Sequence, residues 1–267
     1  MPLFAPAMLA QGAQRKPLPF GLFSVLSFGQ TPEDNDHWQG GGVTWEYLKP
    51  ADIAALGAPD ATDGSPATGV PLTFDMDSGN WVATATPFSA VGWFKVSPVA
   101  YDQEAANAKA LQMLTSFEQK QVEEQFWTGN AGNEPNLTTG TTALTAAATI
   151  DALPELEDYI ANTYGSLGCI HMSRKRASIL MQTQVLMPTG SVLATRLGTP
   201  VVAGAGYADD RMVATPALFG LRGGVFFTNR TDMPTIDARQ NDLYAVAERT
   251  YLIGFDPTGV GSVAVTG

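Results

Sequence analysis

The chain has 267 residues, 45% of them hydrophobic, so it can bury a core as one large domain or two modest ones, and wholesale disorder is excluded. Its formal net charge is −11, with nine acids against Lys49 alone between residues 31 and 80, whereas a chain built to grip nucleic acid concentrates Lys and Arg. The single cysteine, Cys169, rules out an intramolecular disulfide framework and agrees with a reducing compartment, and no apolar run approaches the roughly 20 residues of a membrane-spanning helix.

Residues 1–30 hold no acid. Arg15-Lys16 is followed by LPFGLFSVLSFG, but Pro17, Pro19 and two serines interrupt that run and no small-residue cleavage site follows, so it reads as a structural arm and not as a signal peptide. Leu22, Phe23, Val25, Leu26 and Phe28 give the arm apolar side chains with little local core, and such an arm is expected to be completed by a neighbour. The texture then turns to Gly, Pro and Asp. Val43, Trp45 and Tyr47 alternate like a strand, Leu72 and Phe74 begin another, and the polar stretch 57–71 between them reads as a projecting hairpin or loop. Trp81 to Val96 reads as a strand followed by an aromatic connection.

The dominant element is the stretch from Ser97 to Gly129. Ser97 is placed to cap a helix, Pro98 suits its first turn, Asp102 and Glu104 lie near its positive end, and Gly129 tolerates a left-handed cap. The expected apolar stripe is Ala108, Leu111, Leu114, Val122 and Phe126, with Glu123 and Lys120 elsewhere. About 30 residues at roughly 1.5 Å each make a rod on the order of 45 Å. The polar residues after Gly129 read as a domain crossing, followed by a helix from about Asp151 to Tyr164 stopped by Gly165. Cys169 to Met172 is a short buried strand, and Ser173 caps a third helix through about Leu186, ended by Pro188. The remainder is glycine-punctuated and β-rich, which brings the C-terminus back to the region of the long helix. The class is α+β with a discontinuous domain.

Catalytic constellations are thin. His37 and His171 are the two histidines, no G-x-S-x-G elbow occurs, and Cys169 with His171 lacks the further ligands of a metal site, so core packing is the better reading. Gly204-Ala205-Gly206 begins like a dinucleotide fingerprint but has Asp209 where the third glycine belongs, and reads as a hairpin turn. Asp75-Met76-Asp77, with Asp60 and Asp63, lacks the closing Glu of a calcium loop, so these are solvated loop acids. Arg174-Lys175-Arg176 reads as a solvated face or a subunit contact. No catalytic, cofactor or metal site is expected.

The order of parts and several local segments resemble the major capsid proteins of tailed bacteriophages, the fold shared with encapsulins. These segments are Phe126-Trp127-Thr128-Gly129, Ala152 to Glu157, Gly168 to Met172, Leu197 to Val202 with Gly204 to Tyr207, and Ala247 to Tyr251; they look most like actinobacterial phage capsid proteins. The resemblance implies a tailed-phage capsid fold: an N-terminal arm (1–34), a peripheral domain (35–56, 81–140 and 235–267) with a long spine helix at 98–128, an extended loop (57–80) and an axial domain (141–234).

It also implies a non-enzymatic shell subunit that assembles with itself into hexamers and pentamers in the host cytoplasm and encloses double-stranded DNA in the virion. A separate scaffolding protein, a portal and decoration proteins are its implied partners; no membrane is, and the absence of a long helical pre-segment implies no built-in scaffold. Some relatives join a lysine to an asparagine across subunits; Lys49 lies near the loop, but nothing marks a partner, so no crosslink is expected. Candidate inter-subunit contacts are Phe23, Val25 and Phe28 in the arm, Asp60, Asp63 and Asp75 in the loop, and Arg174, Lys175 and Arg176, the basic triplet facing the acidic segment of a neighbour. The alternatives are an encapsulin-like compartment and an intracellular hydrolase.

Overall fold

The computed structural model describes residues 16–29, 37–47, 82–96, 102–228, 236–237, 242–257 and 259–266. The chain is α+β, as its patterning implies. In the arm, α1 (Leu22–Val25) is a single turn and β1 (Phe28–Gly29) pairs with Gly220 and Leu221. Leu22 and Leu26 are buried in the chain's own core, which corrects the expectation that this part of the arm waits for a neighbour. The reason is a seat made by distant residues: a Cβ at Gly220 would lie 2.9 Å from Leu26, so the missing side chain is the space the leucine fills.

Next come α2 (Trp38–Gly41) and the antiparallel pair β2 (Val43–Glu46) and β3 (Val82–Ala85), in which Val43 faces Ala85. The expected strand at Leu72–Phe74 and the loop at 57–80, with Asp60, Asp63 and Asp75, lie outside the described residues. The supposed aromatic connection is instead a nine-residue strand, β4 (Phe88–Val96). Its period-two pattern explains this, since Phe88, Ala90 and Gly92 are buried while Val91 and Trp93 are exposed.

The long helix is α3 (Gln103–Thr128), about 39 Å at the usual rise. Its N-cap is Asp102, whose carboxylate accepts the Ala105 amide at 2.7 Å, and not Ser97; its C-cap Gly129 is left-handed as expected, with φ 67°. The buried line also differs from expectation. Ala106, Ala110, Leu114, Glu118, Val122 and Phe126 recur every fourth residue, with Glu123 buried beside them, while Ala108 is exposed and Leu111 half-buried.

There follow β5 (Thr142–Ala143), α4 (Thr149–Tyr164) with Gly165 as its left-handed cap, and β6 (Cys169–Ser173), buried throughout. α5 (Arg174–Gln182) is capped by Ser173, whose hydroxyl accepts the Arg176 amide. It stops short of Leu186, because Gln184 takes a φ of 58° and the chain turns into β7 (Leu186–Thr189). Then come β8 (Val192–Thr195), β9 (Pro200–Gly204), β10 (Arg211–Thr215), β11 (Leu218–Phe227), β12 (Ile236–Asp237), β13 (Asp242–Phe255) and β14 (Gly261–Ala264).

Two main sheets result. One runs β1-β11-β13-β12, with β4 on the other side of β13; the second runs β5-β14-β10-β6-β9-β8-β7. The glycines at 204–206 do not turn a hairpin, because β9 and β10 lie on opposite sides of β6. Sheet membership also cuts across the anticipated boundary at 234/235: β11 belongs with β13, and β14 joins the seven-stranded sheet. α3 packs on the five-stranded sheet at a point of near backbone contact, where a Cβ on Gly92 would come 2.3 Å from the Leu114 nitrogen. α4 and α5 cover the seven-stranded sheet through Leu156, Ile160 and Leu180.

Candidate functional site

Among the described residues, a dense set of hydrogen bonds and ion pairs marks the joint where α3, the arm and the two sheets meet. Two glutamates five residues apart on α3 organise it. Glu123 Oε1 accepts the Leu22 amide at 3.0 Å and the Gln119 side-chain amide at 3.2 Å, and Oε2 accepts the amides of Ala205 and Gly206 at 2.6 and 3.1 Å. One carboxylate thereby joins helix, arm and the β9–β10 connection. Gly206 makes the approach possible, since a Cβ there would lie 2.5 Å from the backbone of Lys120 and Glu124. Burial raises the Glu123 pKa above the ordinary carboxyl range against the opposing pull of the three backbone amides and Gln119.

Glu118 is the second node. Its carboxylate takes Arg222 at 2.6 Å, Arg249 at 2.7 Å and the Tyr251 hydroxyl at 3.0 Å, tying α3 to β11 and β13. Burial and the Glu118 charge push the Tyr251 phenol up to about 12. The Arg222 guanidinium also lies 5.8 to 5.9 Å from the ring centres of Phe23, Phe28 and Tyr251. Phe23 and Phe28 are therefore occupied within their own chain, Phe23 stacking on Tyr251 at 5.7 Å, and Val25 packs against the same core.

The seven-stranded sheet and the β9–β10 connection contribute a buried polar trio: His171 on β6, Thr215 on β10 and Tyr207. His171 Nδ1 is 3.2 Å from the Tyr207 hydroxyl and Nε2 is 3.0 Å from Thr215 Oγ1. Burial lowers the His171 pKa to about 3 and raises the thiol of Cys169, its neighbour on β6. A neutral imidazole with both nitrogens used is core structure, as the sequence suggested. Among the described residues no group of three His, Cys, Asp or Glu is placed to hold a metal ion.

The basic triplet is divided by its surroundings. Arg174 donates to the Pro19 carbonyl at 2.8 Å, fastening the arm. Arg176, 5% exposed, reaches Asp209 Oδ1 at 3.0 Å and Thr149 Oγ1 at 2.8 Å. Lys175 alone matches the solvated reading, with its side chain 69% exposed and its ammonium 2.8 Å from Asp209. The Asp209 pKa is lowered: partial desolvation works upward but is outweighed by hydrogen bonds from Lys175 and Ser173 and by the Arg176 charge. Sequence reasoning missed Glu118 and Glu123; the available signal was a glutamate interrupting the four-residue spacing between Leu114 and Val122.

No family model and no curated protein matches the sequence. Solved structures match the fold. A chain from Gordonia phage Cozz superposes with a TM-score of 0.56 over 98% of this chain and 92% of its own, at 12% identity. The capsid of an empty GTA particle gives 0.56 over 99% and 96%, also at 12% identity. The chain has the tailed-phage capsid fold. A chain from Microbacterium phage Oxtober96 agrees equally well, with a TM-score of 0.56 over 99% and 96% at 12% identity. Within the capsid fold, α3 takes the place of the long spine helix the resemblance implied, and both glutamate nodes lie on it.

Proposed function

We propose that the chain is a major capsid protein, a structural and non-enzymatic subunit that closes with copies of itself, as hexamers and pentamers, into the icosahedral shell of a tailed bacteriophage around double-stranded DNA. The observation that carries this reading is the reciprocal coverage: the chain spans 99% of itself and 96% of a GTA capsid chain, so no large insertion is left to house another activity. α3 with the five-stranded sheet forms the peripheral part and the seven-stranded sheet the axial part. The virion is its location, after assembly in the host cytoplasm, with a separate scaffolding protein, a portal and decoration proteins as partners.

Shell subunits need surfaces that other copies complete. The acidic segment 31–80 is one candidate, with Asp60, Asp63 and Asp75, and Lys175 is the member of the basic triplet free enough of its fold to meet it. Reversal of Arg176 would damage the monomer, so Lys175→Glu is the informative change: particle yield falls while the unassembled subunit stays folded. Negative-stain imaging of the purified full chain tests the whole reading. Closed shells are the expected result; tubes or single globules under all assembly conditions would overturn it.

A further inference from the structure

The arm and α3 leave a cavity of about 60 Å³ between them, lined by Lys16, Leu18 and Phe23 of the arm, Glu118 and Lys120 of α3, and Ala205 of the β9–β10 connection. Pockets for whole ligands start at roughly 300 Å³, so this one has room for the end of a side chain and little more. Its surroundings are positive, although the protein's net charge is −11. Glu118 does not offset the lysines, because its oxygens are taken by Arg222, Arg249 and Tyr251. Lys16 and Lys120 are exposed, and neither ammonium pairs with a carboxylate among the described residues.

Two exposed ammoniums hold a dissolved anion weakly, since each such pair contributes about 1 kcal/mol or less. The cavity therefore suits a carboxylate that arrives tethered to a larger surface, at a high effective concentration. Such a surface lies on α4. Asp151, Glu155 and Asp158 recur at i, i+4 and i+7, a row about 10 Å long on the solvent side of the helix. All three are exposed, and none pairs with a cation among the described residues. Exposed Pro154, beside Glu155, offers apolar surface to Leu18, which is 47% exposed at the cavity.

The row faces away from the cavity of its own chain. On β6, Cys169 and His171 pack toward Phe126 of α3, whereas Ile170 and Met172 pack toward Leu156 and Ile160 of α4. α4 thus lies across the seven-stranded sheet from α3, with its solvent side outermost. We propose that the cavity under the arm is a docking seat for a second copy of this chain, whose α4 lays Asp151, Glu155 and Asp158 against Lys16 and Lys120. The contact is heterologous: each copy offers the seat on one side and the acidic row on the other, so copies join head to tail. Rings, tubes and shells would all carry it, so the inference does not depend on the shell reading.

A zero-length carbodiimide, which joins an amine to a carboxylate in contact with it, tests the pairing on full chain assembled from an equal mixture of ordinary and isotopically labelled copies. Mass spectrometry should find Lys16 or Lys120 linked to Asp151, Glu155 or Asp158 in peptide pairs that mix the isotopes. Links confined to one isotope, or a set of links between copies that lacks these, would overturn the proposal. Glu155→Lys with Asp158→Lys should raise the concentration at which copies associate about tenfold, and adding Lys16→Glu and Lys120→Glu should return it to the wild-type value. Glu155→Gln with Asp158→Gln, which keeps helix propensity, should give a smaller rise and covers the case in which the reversed chain does not fold. Association indifferent to all of these changes counts against the seat. Shells that form without the links would remove this contact and leave the shell reading standing, whereas the links in open rings or tubes would do the reverse.

Discussion

The Glu123 carboxylate accepts the amide of Leu22, a residue 101 positions earlier in the chain, at 3.0 Å, and with its other oxygen accepts Ala205 and Gly206. Removing the side chain strands the buried Leu22 amide and takes the carboxylate from the half-buried amides of Ala205 and Gly206. Glu123→Ala should therefore cost about 3 kcal/mol or more, and Glu123→Gln, which keeps one acceptor oxygen, clearly less. Denaturant midpoints of the unassembled chain measure both, and equal losses would contradict the hydrogen-bond account.

Glu118 carries a different kind of load, since two arginines and a phenol converge on it. Glu118→Ala leaves the Arg249 guanidinium, with its side chain only 18% exposed, facing no carboxylate, and should cost about 3 kcal/mol. Arg249→Met in the same background should recover part of that loss. A double-mutant cycle in urea reads the coupling, and strictly additive effects would remove the ion pair from the explanation.

His171 makes stability depend on pH. Its pKa falls from 6.5 to about 3 on burial, so between those values the unfolded chain binds a proton that the folded chain does not. The stability present above pH 6.5 is lost as the pH falls, at about 1.4 kcal/mol per pH unit from this residue alone. His171→Gln should lower stability at neutral pH through its looser fit to Tyr207 and Thr215, and should flatten that slope. The measurement is the difference between wild-type and variant unfolding free energies across the window, since other groups titrate in both.

Two glycines separate close contact from backbone conformation. Gly92→Ala would put a methyl 2.3 Å from the Leu114 nitrogen and 2.5 Å from the Ala110 carbonyl oxygen, with backbone on both sides and nothing flexible to yield. A loss of about 3 kcal/mol is expected, with α3 displaced from β4. Gly132→Ala meets open space and strains only a φ of 77°, for about 1 kcal/mol. Thermal melts of the pair should rank them in that order.

Much of this architecture is legible in the sequence because length and caps are local signals. Gly129 and Gly165 end α3 and α4 where their conformational freedom predicts, and Ser173 caps α5. The start of α3 is not legible in the same way: Ser97-Pro98 and Asp102 are competing caps, and Asp102 prevails by bonding the Ala105 amide. The buried line of α3 defeats periodicity for a tertiary reason. Alanines suffice where Gly92 brings β4 against the helix backbone, and a glutamate belongs in the line only because Arg222 and Arg249 arrive from strands more than a hundred residues later. The same distance hides the seat of the arm, whose Leu26 occupies space that Gly220 leaves empty.

Cys169 is the sole sulfhydryl in the polypeptide; it is 2% exposed, and burial holds it in the unreactive protonated form. An alkylating reagent can reach it only when β6 and its surroundings part, so labelling rate becomes an intrinsic gauge of how often the interior breathes. Any particle built from this subunit carries one such gauge per copy, and the time course of modification would report whether a closed wall quiets the motions of the free molecule.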